Sequence, residues 1–198
     1  MKSCVLLVLS GEPKLKRFYR MEMTGKKYTP FPVLKTERLT LRQLKVEDVK
    51  EIFALRSDQN VNRYLGRKPS TTIDDAKKFI ETINENAQRD DSIYWVITLN
   101  GNHKLIGTIC LFDFSDDNTN AEIGYELLPE FLGRGIMQEA ASKVIDFGFQ
   151  HIKLHSIEAY THADNQSSTK LLEKLNFKWH RAPDENFIIF KLTKMPVR

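Results

Sequence analysis

The sequence predicts an α/β (α+β) architecture: a mixed, mostly antiparallel sheet with helices packed on both faces. Three observations carry this. Apolar residues recur with period two in some segments and with helical spacing in others, in the order β-α-α-β-β-β-α-β-α-β-β. Three of the strands follow one another directly, and Asn100-Gly101 between the first two is the strongest short hairpin signal. An apolar strand ending at Leu128 then runs through a turn holding Gly133 and Gly135 into an amphipathic helix.

Leu34 to Leu44 alternates, with Leu39 and Leu41 on one side, as an edge strand does. Glu47 to Ser57 places Val49, Ile52, Phe53 and Leu55 at helical spacing. Asn60 to Ser70, with Gly66 and Pro69, reads as a loop. Thr72-Ile73-Asp74-Asp75 is a capping-box-like start for a helix to about Gln88, with Ala76, Phe79, Ile80 and Ile83 on its buried stripe. Ile93 to Leu99 is rich in aromatic and β-branched residues, and Lys104 to Phe114 returns as a long strand. Ala121 to Leu128 follows a polar loop. The helix after the glycine turn runs to about His151, with Ala141, Val144, Ile145 and Phe149 inward. Leu154 to Thr161 is a strand, Gln166 to Leu175 a helix, and two short strands close the chain around Asp184-Glu185-Asn186.

The 198 residues suit one domain with a full core. Cys4 and Cys110 cannot form a disulfide framework, which points to a reducing, cytoplasmic location. No apolar run approaches the ~18–20 residues of a membrane span. The net charge of +4 is unevenly placed: residues 1–35 carry eight Lys/Arg against two Glu, and the remainder carries 22 basic and 24 acidic residues. The domain itself is therefore slightly acidic and has no nucleic-acid footprint. Residues 1–33 read as a basic leader and linker outside the fold, and 34–198 as the domain. The apolar run Cys4–Leu9 hints at a secretory signal, but six residues fall short of the ~7–15 such a core needs. Met21 or Met23 as the biological start is the competing reading.

The strand–turn–helix at Gly133–Gln138 turns a row of backbone N–H groups toward one mouth, with a helix dipole behind them. Such a mouth binds anions, pyrophosphate above all, unless the glycines serve the corner's geometry alone. No Gly-Lys-Ser/Thr occurs, so it is not a Walker loop, and Gly133-Arg134-Gly135-Ile136-Met137-Gln138 lacks the third small residue of the dinucleotide fingerprint. What remains resembles the acetyl-CoA loop of the GNAT superfamily of N-acetyltransferases, [QR]-x-x-G-x-[GA]. Gly135 fills its central glycine, while Leu132 and Met137 depart from the first and last positions. Those departures, with Glu139-Ala140, resemble the ribosomal-protein (RimJ/RimL-like) branch. So do Thr36-Glu37-Arg38-Leu39-Thr40-Leu41-Arg42, Ala121-Glu122-Ile123-Gly124-Tyr125, Leu154–Ala159, Asn165-Gln166-Ser167-Ser168 and Leu172–Phe177.

The resemblance implies transfer of an acetyl group from acetyl-CoA to a primary amine, with no covalent enzyme intermediate and no metal. It implies a splayed central strand pair holding the pantetheine arm. Backbone groups of Leu127 and Leu128 would contact that arm, and the amides of Gly133, Arg134, Gly135, Ile136, Met137 and Gln138 the pyrophosphate, with the Arg134 guanidinium adding a phosphate contact. Asn165 would hydrogen-bond the pantetheine, and the Ser168 hydroxyl would meet the leaving sulfur; both residues also suit plain helix capping. Leu172 stands where many relatives carry a tyrosine acid. Glu122 is the candidate base, directly or through water, against the alternative of a salt-bridged surface group. Tyr125 reads as core packing. His151 and His155 straddle a helix end without a third ligand, so no metal is expected. The acceptor is a protein N-terminus or a small amine, the protein a monomer or homodimer. A non-catalytic acetyl-CoA sensor is the rival reading.

Overall fold

The computed structural model describes residues 5–6, 28 and 30–195. Its sheet runs in the spatial order β2 (Leu34–Lys35), β3 (Leu39–Gln43), β4 (Ser92–Leu99), β5 (Gly107–Phe112), β6 (Asn120–Leu127), β7 (Ser156–His162), β9 (Phe187–Thr193) and β8 (Lys178–Arg181). Among these neighbours β6 and β7 alone run parallel. A two-residue strand, β1 (Val5–Leu6), borders β6 opposite Glu126 and Tyr125.

Helices cover both faces. On one side α1 (Val49–Ser57), α2 (Gln59–Asn62) and α3 (Ile73–Gln88) pack Ile52, Leu55, Val61, Phe79 and Ile80 against Tyr94, Val96 and Cys110 of the sheet. On the other, α4 (Ile136–Phe147) and α5 (Gln166–Lys174) pack Ala140, Val144, Leu171 and Leu172 against Trp95, Ile109, Ile123 and Tyr125. This explains the continuous apolar run of β4. Ile93, Trp95 and Ile97 join one core while Tyr94 and Val96 join the other, so both sides of the pleat are buried.

The last residues ahead of position 34 already touch the domain. Trp95 Nε1 donates to Pro32 O at 2.7 Å, the Phe31 ring meets Trp95 edge-on at 6.1 Å, and Tyr28 stacks on Phe114 at 6.2 Å. The segment read as a loop from Asn60 starts with the single turn of α2, capped by Asp58 Oδ1 accepting Val61 N–H at 2.9 Å. One turn is too short to show helical periodicity. Beyond Phe147 the helical path continues as a wider π-type turn, Gly148–Ile152, and ends at Lys153 with φ +69°.

The capping box of α3 forms as its sequence suggests. Asp75 N–H donates to Thr72 Oγ1, and the Asp75 carboxylate accepts the N–H groups of Thr71 and Thr72 at 2.8 and 2.9 Å. Those two amide donors, helped by the Thr71 hydroxyl, hold the Asp75 carboxyl down at about 2. A carboxyl depressed in the folded state stabilises it above the unfolded pKa of about 3.9, and the benefit fades as pH falls. Asp75→Asn therefore lowers the urea midpoint at pH 7, and its gap from the parent closes between about pH 4 and 2. A gap that stays constant over that range would show that the charge contributes nothing.

Candidate active site

The site is organised by the place where the sheet opens. β6 and β7 pair only at Asn120–Ser156, Ala121–Ile157 and Glu122–Glu158. The Ser156 hydroxyl donates to Asn120 Oδ1 at 2.6 Å and closes that vertex. Past it each strand stays with its outer neighbour: β6 follows β5 to Leu127–Gly107, and β7 follows β9 to His162–Phe187. The gap between them is the splay that the resemblance implied. Leu128 N–H donates to Ile106 O and Leu128 O accepts Phe131 N–H, both at 3.0 Å, so its backbone groups are committed. Antiparallel alternation turns the N–H and C=O of Leu127 and Tyr125 the other way, toward the gap. That edge is the one β1 borders.

The glycine loop stands at the mouth of the gap. Gly133 and Gly135 have φ of +76° and +73°, a region side chains with a Cβ enter at a cost, and Gly135 caps α4. The first backbone bond back to that cap is Glu139 N–H to Gly135 O at 3.1 Å. The amides of Ile136, Met137 and Gln138 therefore precede the helical ladder and point out of its N-terminus. The loop is held from across the chain. Glu139 Oε1 accepts the Thr36 hydroxyl at 2.5 Å and Arg38 N–H at 3.0 Å, and Oε2 accepts Arg38 Nε at 2.6 Å. Arg38 Nη1 also donates to Arg134 O at 3.1 Å. Burial pushes the Glu139 carboxyl up, but the donors on Thr36 and Arg38 outweigh it and hold it below its ordinary value. The Arg134 guanidinium lies 5.6 Å over the Phe131 ring at the loop's rim.

A groove of about 560 Å³ joins this loop to α5. Lys170 and Lys174, one turn apart on α5, place two ammonium groups along it. Reading the sequence missed them, because lysines on a helix face carry no signal of what lies opposite. A larger cavity of about 950 Å³ lies behind α4 against β8 and β9; it takes in Gln138 and Lys174 but no residue of the splay. Asn165 caps α5, its Oδ1 accepting Ser168 N–H at 3.1 Å. The Ser168 hydroxyl and the Tyr125 phenol are hydrogen-bonded at 2.8 Å, both buried. Tyr125 thus does more than pack; it ties β6 to α5 across the splay. Leu172 is buried as well.

The opposite face of β6 carries two glutamates four residues apart, hence on one side of the strand. Glu126 is 2% exposed and its carboxylate is gripped at both oxygens by Arg67, Nη2 to Oε2 at 3.0 Å and Nη1 to Oε1. Arg67 Nε donates to Asn62 Oδ1 at 2.8 Å, so the group locks the segment after α2 to β6. The neighbouring Arg56 guanidinium lies 3.7 Å from the Phe79 ring centroid, and burial together with the Arg67 charge lowers its pKa. Burial and then the Glu126 charge push the Tyr94 phenol and the Cys110 thiol up. Glu122 is half-buried at the vertex, beside Glu158, whose carboxylate accepts Lys191 Nζ at 3.0 Å. Sequence reasoning singled out Glu122 and passed over Glu126; the structure places both on this face and commits Glu126 to Arg67.

A ring cluster ends the groove on that face. Tyr64, which follows α2, lines it; its ring lies 5.4 Å from His162, and Phe187 meets His162 edge-on at 5.5 Å.

A family model described as an acetyltransferase (GNAT) domain matches residues 38–178. The chain is 38% identical over 148 residues to the uncharacterized N-acetyltransferase YoaA of Bacillus subtilis (strain 168), covering 75% of this chain and 84% of that one. It is 28% identical over 152 residues to the putative ribosomal N-acetyltransferase YdaF of the same organism, covering 71% and 78%. The fold is similar to that of the spermidine N-acetyltransferase from Vibrio cholerae solved with CoA and spermine, with a TM-score of 0.71 at 21% identity over 80% of this chain and 96% of that one. With the splayed strands and glycine-capped helix these matches share one conclusion: the chain belongs to the GNAT acetyltransferase family and is an N-acetyltransferase whose homologues include ribosomal-protein N-acetyltransferases.

Proposed function

We propose that the protein moves an acetyl group from acetyl-CoA directly to a primary amine, in the cytoplasm. The observation that carries this is the continuity of one path. It runs from the unladdered amides at the start of α4 to the Leu127 edge of the splay, the gap whose closed end carries Glu122. The pyrophosphate sits on the Gly133–Gln138 amides, with Lys170 and Lys174 as counter-charges. The pantetheine arm lies along Leu127, and Asn165 stands on the far wall. At the face of α1–α3 the amine nitrogen attacks the thioester carbonyl while Glu122, directly or through water, takes its proton. Glu126, already neutralised by Arg67, is left a structural strut. Two carboxylates side by side on this face, Glu122 and Glu158, favour a cationic acceptor such as a protein N-terminus or a small amine. The likeness to both ribosomal-protein and spermidine acetyltransferases supports the same range.

Gly135→Val forces a β-branched residue into positive φ, at a cost of roughly 1–2 kcal/mol, and sets a side chain against the Arg38 guanidinium that ties down the loop. Acetyl-CoA affinity by calorimetry falls tenfold or more while the thermal midpoint stays above the assay temperature. Unchanged affinity would sink the loop assignment.

Glu122→Gln lowers kcat by ~10²-fold or more and leaves acetyl-CoA affinity near that of the parent. Full activity with an unchanged pH profile would place the base elsewhere. A parent protein that binds acetyl-CoA yet releases no thiol with any amine offered would favour the sensor reading.

A chain starting at Met23 keeps the fold and binds acetyl-CoA at least as tightly as the full chain, because β1 borders the edge assigned to the pantetheine. Weaker binding after truncation would make residues 1–22 part of the site.

A further inference from the structure

We propose that the open edges of β6 and β7 form a strand-docking site whose resting occupant is this chain's own segment Val5–Leu6. Leader and pantetheine arm then exclude one another; the proposal rests on the acetyl-transfer reading above. β1 pairs antiparallel with β6, with Val5 opposite Glu126 and Leu6 opposite Tyr125. Its Cα atoms also come within 8 Å of those of β7. A strand that reaches both edges lies between them, in the gap, and not on a face of the sheet.

Hydrogen-bond parity sets which groups the two ligands share. Leu128 N–H donates to Ile106 O at 3.0 Å, so along β6 the backbone of Leu128 and Glu126 faces β5. Leu127 and Tyr125 face the gap. Leu6 opposite Tyr125 is therefore the hydrogen-bonded pair of the β1–β6 ladder, and Val5 opposite Glu126 the non-bonded one. The backbone groups of Tyr125 that a pantetheine amide would use are the ones that Leu6 takes. The arm cannot pass to one side either. The groove from the glycine loop reaches Leu127, and Tyr125 is the next gap-facing residue beyond it. Anything that enters along Leu127 meets β1 there.

The occupant is built to leave. β1 is two residues long and holds one bonded pair, whereas β5 stays with β6 from Phe112–Glu122 to Gly107–Leu127. So short a strand opens far more readily than the sheet it borders. The phosphate end stays accessible, because Gly133, Gly135, Lys170 and Lys174 line the groove outside Leu127. A ligand with a pantetheine arm is then bound with its intrinsic affinity reduced by the fraction of molecules whose gap is free. A ligand that ends at the pyrophosphate feels no such reduction. By linkage, whatever holds the leader away from the gap tightens acetyl-CoA by the same factor with which acetyl-CoA frees the leader.

The test compares the full chain with full-length Leu6→Pro, which lacks the N–H that faces Tyr125. By calorimetry Leu6→Pro should bind acetyl-CoA at least threefold more tightly than the parent. ADP, which carries the pyrophosphate without the arm, should bind both alike. In the parent, hydrogen exchange of the Leu6 amide should speed up on adding saturating acetyl-CoA and stay unchanged with ADP. Equal acetyl-CoA affinity in parent and Leu6→Pro, or a Leu6 amide that exchanges no faster with acetyl-CoA, would overturn the proposal while acetyl-CoA binding stands. An ADP affinity that rises together with that for acetyl-CoA would mark a general change in the groove and overturn it too. Absence of acetyl-CoA binding by parent and Leu6→Pro alike would overturn the acetyl-transfer reading and the proposal with it.

Discussion

The pairing of β6 with β7 stops after Glu122–Glu158, and the rest of the site depends on that stop. Parallel strands are normally buried between two partners whose hydrogen bonds run their full length. Here each strand keeps its outer partner, β5 or β9, to the end and loses its inner one. A gap of unpaired backbone in the middle of a sheet would be costly unless something polar lies in it. A linear chain with amide groups of its own, such as a pantetheine arm, satisfies that requirement, and the short strand β1 borders the same edge. The vertex is kept closed by Ser156 on Asn120 and by the backbone bond from His155 N–H to Thr119 O at 2.6 Å.

The glycine loop is placed relative to this gap by contacts distant in sequence. Glu139, in the first turn of α4, reaches back to Thr36 and Arg38 in the connection between β2 and β3. A carboxylate near a helix N-terminus is favoured by the dipole and here takes three donors as well. The consequence is a loop whose two left-handed glycines are held in one geometry instead of sampling many. The two sequence motifs that most resemble the ribosomal-protein branch, around Thr36–Arg42 and Gly133–Ala140, are thus two halves of one contact.

On the other face, similar residues do different work because their surroundings differ. Glu122 and Glu126 share a strand and a side, and a glutamate on a strand reads the same at either position. Glu126 lies under the segment after α2, where Arg67 grips it at both oxygens and Asn62 holds Arg67. Removing one partner would strand a buried charge, so the pair holds this wall in place. Glu122 sits at the vertex, half-buried beside Glu158, nearer to where the two strands part. The same contrast separates the tyrosines: Tyr125 is sealed against Ser168, whereas Tyr64 remains at the edge of the groove.

While the stretch it read as one strand, Leu34–Leu44, folds as the antiparallel pair β2 and β3, the sequence by itself determined the order of the longer elements, the Thr72 cap and the glycine-capped start of α4. Each is set by local conformational preference or by hydrophobic period, quantities a short window contains. It also pointed to the family, because several motifs stand in one order at matching spacing. The tertiary structure alone decided which backbone edge faces the gap, since hydrogen-bond parity turns Leu127 toward it while Leu128 bonds to Ile106. It alone joined Ser168 to Tyr125, brought Lys170 and Lys174 opposite the glycine loop, and carried Tyr64 across from a segment that reads as a plain loop. Such pairings join positions tens of residues apart, 43 in the case of Tyr125 and Ser168, and no local preference encodes which distant side chain the packed sheet and helices will bring alongside.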